Sequence, residues 1–403
     1  MPTAEEFFGC GGEARSVHPR SLREGVWSPG DVRWARDLAC RWDGGQARSI
    51  VEAGAEGPTH RGRRPPPRIP RTVHLIWLGG GPLPEHFADR TDTAAASAAA
   101  AIAAEEGAAG APAWNRCALS FRRHHPSSLG WDVRVWTEAE AEEAFPSGSG
   151  GSDSSAPRQP MANRVVYRYA LSIENYGLAS DVLRLEILHR YGGVYADVDY
   201  VCVAPLDGLH SGLDFYCGAS NVGCVEVNNG LIGAARGHRI VGRMMDEIGL
   251  WWRGRGSPAT EPASAPPPPP HPPLALLSSF LGTDASDSLG EVVVAAAATA
   301  PSFGPPPTDR PTPEDVIRHT GPGMMTRVLM EVLSRDGNGE GGNLWSDGRV
   351  AVLPACHLHP FPNHLRRRVR GATMEGFIDE YGRGGTALAL HLWGCSWQRR
   401  TST

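Results

Sequence analysis

The clearest pattern of apolar and polar positions lies between Ala179 and Tyr200, where the chain reads ASDVLRLEILHRYGGVYADVDY. Apolar residues broken by polar ones at helical spacing predict a helix over Ser180 to Tyr191, with Ser180 placed to cap it after the loop-like Asn175-Tyr176-Gly177. A Tyr-Gly-Gly turn then opens into alternating positions that predict a strand from Val194 to Val203. Side chains alternate along a strand, so Tyr195, Asp197 and Asp199 are expected on one face and Val194, Ala196 and Val198 on the other. Upstream, the apolar run Val73 to Leu78 is closed by glycines and Pro82, as a buried strand opening into a loop would be, and Asp132 to Trp136 predicts another strand. Strands alternating with helices predict an α/β fold with a mixed, mostly parallel sheet flanked by helices.

Two acids one residue apart on one face repel, and a hard divalent cation bound through carboxylate oxygens relieves that repulsion. Mg²⁺ or Mn²⁺ is commonly held by one or two carboxylates and completed by phosphate oxygens, so Asp197-x-Asp199 suits a site that receives a phosphorylated ligand. Asp181 and Arg184 are three apart and share a helix face, where both can point at one polar ligand. Plainer roles stand beside these. An Asp-x-Asp pair is often a solvated pair, Asp181 with Arg184 a surface ion pair, Trp77 a core residue and His74 a satisfied core histidine. An EF-hand loop fails because Val201 replaces its third oxygen ligand. A haloacid dehalogenase-type phosphohydrolase using Asp197 expects Thr where Val201 stands.

Taken as one string, Ser180-Asp181, Arg184, the apolar run, Gly192-Gly193-x-Tyr195 and Asp197-x-Asp199 resemble the sugar-binding region of the DXD glycosyltransferases. That group includes yeast-type initiating α-1,6-mannosyltransferases, inositol-phosphoceramide mannosyltransferases and the glucosylating domains of large clostridial toxins. Ile69 to Gly80 resembles the group's first strand, and Ser120 to Pro126, followed by Trp131 to Trp136, resembles its next returning strand. Asn228 to Ala234 resembles the segment after the metal motif, and His391 to Trp397 its closing His…Ser-Trp element.

The resemblance implies a GT-A-like fold and transfer of a hexose of the mannose, glucose or galactose class. The donor would be a nucleotide diphosphate sugar, the acceptor a hydroxyl of a glycan or glycolipid, and the anomeric configuration would be retained. Asp197 and Asp199, with His391 as a further ligand, would hold Mn²⁺ or Mg²⁺ and through it the diphosphate. Asp181, Arg184, Asp197 and Asp199 form the implied catalytic set, the first two holding sugar hydroxyls after Ser180. Trp77 would stack on the base, beside Leu78 and Gly79. Tyr195 would pack on sugar or ribose, Asn229 would contact the donor, and Ser396 and Trp397 the diphosphate. The sequence offers no isolated second carboxylate as a nucleophile, which favours acceptor attack from the leaving-group face.

In domain terms, residues 1–65 are expected to form an N-terminal extension and 66–399 the catalytic domain. Stretches near 91–113, 146–157 and 253–307 are dominated by Ala, Ser, Gly and Pro, so they are expected as disordered or solvated insertions. A net charge of −5 argues against a nucleic-acid partner. No segment reaches the ~20 apolar residues needed to span a bilayer, and Met1 to Cys10 lacks a signal-peptide pattern. The family resemblance points to the Golgi, whereas the missing anchor and leader leave two readings, a truncated chain or a soluble, cytoplasmic one, and the compartment stays open. The eight cysteines include no Cys-x-x-Cys pair, and Cys217 with Cys224 fits either a disulfide or two buried thiols. Besides the phosphohydrolase, a non-catalytic nucleotide-sugar or glycan-binding protein is the other alternative.

Overall fold

A computed structural model describes residues 4–9, 29–44, 46–52, 67–79, 114–146, 160–255, 309–337, 349–371, 374–382 and 386–394. Ser396, Trp397, the expected insertion at 91–113 and most of those at 146–157 and 253–307 lie outside the described residues. The chain divides into two compact units, Met1–Gly249 with Arg310–Thr403, and Leu250–Asp309. In the second, the described residues are the end of the helix Arg239–Arg255 and Asp309, whose carbonyl accepts from Arg255 at 2.8 Å.

The first unit is built on strands β1 (Thr72–Ile76), β2 (Asp132–Trp136), β3 (Gly193–Ala196), β5 (Phe215–Ala219), β6 (Val227–Ala234) and β7 (Val350–Leu353). They form one sheet in the order β2-β1-β3-β6-β5-β7. β1 pairs in parallel with β2 and β3, β5 pairs in parallel with β7, and β6 runs antiparallel to both its neighbours. One reversed strand in an otherwise parallel sheet flanked by helices is the mixed, mostly parallel α/β arrangement expected from the sequence. β3 and β5 are buried along their whole length, as inner strands covered on both faces are.

This topology brings several chain segments to one sheet edge. The carboxyl ends of β1, β3, β5 and β7 and the amino end of β6 all lie there, where ligands bind in open α/β sheets. Two glycines let β3 enter the sheet. Gly192 and Gly193 have φ of 66° and 102°, and a Cβ on Gly193 would stand 2.6 Å from the Thr72 carbonyl oxygen. His74 is the satisfied core histidine expected. Its Nε2 bonds the Gly192 carbonyl at 2.8 Å, its Nδ1 accepts from Trp136 Nε1 at 3.1 Å, and burial lowers its pKa to about 4.

Three element boundaries differ from expectation. The helix after Asn175 begins at Tyr176, not Ser180, because the Asn175 side chain accepts the Leu178 N–H at 3.0 Å and caps it one turn earlier. β1 ends at Ile76 rather than Leu78, and Trp77 then donates its N–H to the Trp136 carbonyl at 2.8 Å. The expected strand Val194 to Val203 is two strands, β3 and β4 (Tyr200–Cys202), joined by a turn over Asp197–Asp199. The Tyr200 N–H closes that turn onto the Asp197 carbonyl at 3.1 Å. The two acids therefore sit on a turn and do not project from one strand face.

β4 leaves the main sheet and pairs antiparallel with β8 (Ala389–His391), placing His391 opposite Tyr200. Beneath this ribbon Val201, Leu390, Leu392, Trp393, Phe361 and Phe377 form a core of their own. The helix Gln46–Glu52 packs on the helix Asp207–Gly212, where a Cβ on Gly212 would collide with Ile50, and Trp42 lies 5.0 Å from the His357 ring. Cys217 and Cys224 are buried and are not joined by a disulfide. No helix among the described residues is long and apolar enough to cross a membrane.

Candidate active site

The helix Tyr176–Tyr191 presents Asp181 and Arg184, both 5% exposed, to the edge where β3 and β6 meet. Arg184 lies 3.0 Å from the Asp181 carboxylate and 3.4 Å from that of Asp197, and it donates to the Asn229 and Ser180 carbonyls at 2.7 and 3.2 Å. Its guanidinium lies 4.5 Å over the Tyr195 ring, whose hydroxyl donates to Asp197. Asp181 also accepts from Asn229 Nδ2 and from Thr320 Oγ1, each at 2.9 Å. A buried carboxylate costs several kcal/mol unless paired, and these contacts supply the pairing. Even so, burial outweighs Arg184 and raises the Asp181 pKa.

Asp197 continues the β3 ladder for one residue, its N–H donating to the Gly230 carbonyl at 2.7 Å. A Cβ at Gly230 would stand 2.7 Å from Asp197 Oδ2 and 2.8 Å from Asn228 Oδ1, so only glycine leaves the carboxylate its place. Asp199 is held from the other side. Its Oδ1 lies 3.3 Å from His391 Nε2, its Oδ2 accepts the Gly394 N–H at 2.6 Å, and its carbonyl accepts the Leu392 N–H at 3.0 Å.

The two acids titrate apart. Burial raises Asp197, with Asp199 adding to it and Arg184 opposing. Burial would also raise Asp199, but the His391 ring and the Gly394 N–H outweigh it and lower that carboxyl.

Ligand atoms of Asp197, Asp199 and His391 all lie within 4.8 Å of one another. His391 Nδ1 is buried without a hydrogen-bond partner, a state that calls for an explanation in a polar site. Two hard carboxylates and one imidazole fit Mn²⁺ or Mg²⁺ when phosphate oxygens complete the shell. The His391 ring stacks on Tyr200 with centroids 4.4 Å apart and planes 5° apart, and it lies 4.2 Å from the Trp393 ring.

The structure thus joins Ser180, Asp181, Arg184, Tyr195, Asp197 and Asn229 in one bonded cluster, with Asp199 and His391 beside it. Trp77, Leu78 and Gly79 follow β1 at the same sheet edge, half-buried; Gly79, with φ of 105°, takes its N–H to Glu138 at 2.7 Å. Sequence reasoning missed Thr320, Tyr200, Gly394 and the packing role of Gly230. Tyr200 adjoins the acidic turn and Gly230 follows Asn229, so both carried a local cue, whereas Thr320 had none.

The segment that carries most of this geometry is similar to known proteins. Residues 112–216 match the family described as "Glycosyltransferase sugar-binding region containing DXD motif", a segment that includes Asp181, Arg184, Asp197 and Asp199. Over this segment the chain is similar to the sugar-binding region of glycosyltransferases.

Particular relatives follow. Inositol phosphoceramide mannosyltransferase 1 of Schizosaccharomyces pombe is 30% identical over 148 residues, 37% of this chain and 33% of that protein. Subversion of eukaryotic traffic protein A of Legionella pneumophila is 38% identical over 80 residues, 18% of this chain and 12% of that protein. The matches thus span a third or less of these curated relatives. Among solved structures, PaToxG glycosyltransferase has a TM-score of 0.33 at 13% identity, covering 90% of this chain and 98% of that one. The catalytic domain of alpha-toxin from Clostridium novyi has a TM-score of 0.34 at 9% identity, covering 92% and 84%.

Proposed function

We propose that this protein transfers a hexose from a nucleotide diphosphate sugar to a hydroxyl of a glycan or glycolipid acceptor, with a divalent cation and with retention at the anomeric carbon. The observation that carries the proposal is the convergence of Asp197, Asp199 and His391 within 4.8 Å at the carboxyl edge of the sheet, beside the buried Asp181–Arg184 pair. When bound, Mn²⁺ or Mg²⁺ supplies charge neutralisation for the departing diphosphate. Asp197, Asp199 and His391 would hold it.

Arg184 is braced by four oxygen partners, so it is preorganised and loses little freedom when it meets a ligand. With Asp181 it would orient sugar hydroxyls, and Asn229, bonded to Asp181, fixes that carboxylate for the task. Trp77 would carry the base, with Leu78 and Gly79 beside it, and Tyr195 would pack on the sugar or ribose. Ser396 and Trp397 would contact the diphosphate.

The test is a hydrolysis and transfer screen of GDP-mannose, UDP-glucose, UDP-galactose and UDP-N-acetylglucosamine, with and without Mn²⁺. Release of nucleoside diphosphate from one hexose donor only with metal supports the proposal. Metal-independent release, or none from any donor, contradicts it.

A further inference from the structure

Behind the acidic turn runs a chain of buried polar groups to which no role has yet been given. Glu226, 7% exposed, precedes β6, and Ser220 follows β5, so the β5–β6 pairing sets them face to face at the site edge. Ser220 Oγ donates to Glu226 Oε1 at 2.9 Å, and their backbones are tied by the Ser220 N–H to the Glu226 carbonyl at 2.8 Å. Asn228 Nδ2 donates to the same Ser220 Oγ at 3.2 Å. Asn228 Oδ1 then accepts from the Gly230 N–H at 2.7 Å and from the Tyr200 hydroxyl at 3.2 Å, the Tyr200 oxygen also lying 2.5 Å from His359 Nε2.

The direction of these bonds matters. A serine hydroxyl has one proton and can serve Glu226 or Asn228, not both as donor. Because Glu226 takes the proton, Ser220 Oγ is left as an acceptor, and the Asn228 amide must present its NH₂ to Ser220 and its oxygen to Gly230 and Tyr200. Gly230 in turn holds the Asp197 N–H through its carbonyl, and Tyr200 carries the His391 ring stacked upon it. One amide oxygen thereby supports both the Asp197 and the His391 sides of the cluster.

We infer that Glu226 is a positioning residue for the metal centre: through Ser220 it fixes the orientation of the Asn228 amide, and Asn228 sets Asp197 and His391 for cation binding. The inference rests on the metal role proposed for Asp197, Asp199 and His391. Outer partners of metal ligands commonly change affinity by about 10–100-fold when removed.

The test is a titration of the full chain with Mn²⁺ alone, read by loss of the free-ion EPR signal below each variant's melting midpoint. Glu226→Gln keeps an acceptor oxygen and should bind Mn²⁺ within about twofold of wild type. Glu226→Leu frees the Ser220 proton to turn toward Asn228, and Ser220→Ala removes the link altogether. Both should weaken binding about tenfold. Should Glu226→Leu fail to fold, Ser220→Ala decides. Wild-type affinity in Ser220→Ala, or a loss in Glu226→Gln as large as in Glu226→Leu, would overturn the inference. Absence of Mn²⁺ binding by the wild type would instead remove the metal role on which it rests, and the inference with it.

Discussion

The backbone N–H of Gly394 donates to the Asp199 carboxylate at 2.6 Å, across 195 residues of sequence. It reaches that oxygen because Trp393 adopts a left-handed conformation, φ 54°, uncommon for a non-glycine residue. Trp393 is held there by its Nε1 bond to the Phe361 carbonyl at 2.8 Å and by packing in the core beneath β4 and β8. Trp393→Phe should lose the bond alone, about 1 kcal/mol of stability. Trp393→Ala should lose about 3–5 kcal/mol, because a large buried ring is removed. Denaturant titration distinguishes the two, and wild-type stability in Trp393→Phe would mean the indole bond contributes nothing.

At Gly230 the conflict is steric. Gly230→Ala would put a Cβ 2.7 Å from Asp197 Oδ2 and 2.8 Å from Asn228 Oδ1, so one of them must move. Mn²⁺ affinity should fall about tenfold, the scale for a displaced ligand support. A variant that melts like wild type and binds Mn²⁺ equally well would show that Asp197 has room to spare.

Arg184 and Asp181 are coupled by burial. Arg184→Ala leaves the Asp181 carboxylate without its cation and should cost about 3–5 kcal/mol. Adding Asp181→Asn should recover part of that loss, since the stranded charge is gone. A double variant as unstable as the sum of its parts would contradict the coupling.

The sheet and the acidic pair were legible because their signals are local. Val73 to Ile76 and Asp132 to Trp136 are apolar enough to be strands wherever they pair, and the string from Ser180 to Asp199 is compact. The turn at Asp197–Asp199 was hidden because alternation runs through it unbroken from β3 into β4. Asn175 is hidden as a cap because Gly177 makes the segment read as loop, although one helical glycine costs only about 1 kcal/mol. Thr320, Glu226 and Ser220 gave no sign at all. Each matters through a partner brought near by the fold, and neither composition nor period carries that information.

Glu186 gives a pH-dependent test of the core. Its carboxylate accepts the Asn163 N–H at 2.8 Å, and burial pushes its pKa up to about 7 from an ordinary 4.5. The folded pKa exceeds the unfolded one, so its contribution is fully present below pH 4.5 and is lost as pH rises through 7. Glu186→Gln keeps an acceptor and does not titrate. Relative to wild type it should gain stability as pH rises from about 4.5 to 7, by about 1.4 kcal/mol per pH unit at most, and plateau above. Thermal melts across that range check it, and a difference independent of pH would mean Glu186 is ionised in the folded chain.

The central claim is that Asp197 and Asp199 act through one cation on a nucleotide sugar. Its most direct test is Mn²⁺-dependent release of nucleoside diphosphate by the wild type, Asp197→Ala and Asp199→Ala, each verified as folded by circular dichroism. Activity in the wild type alone, abolished by chelation and absent from both variants, is the predicted result. Turnover surviving in Asp199→Ala with unchanged metal dependence would contradict the account.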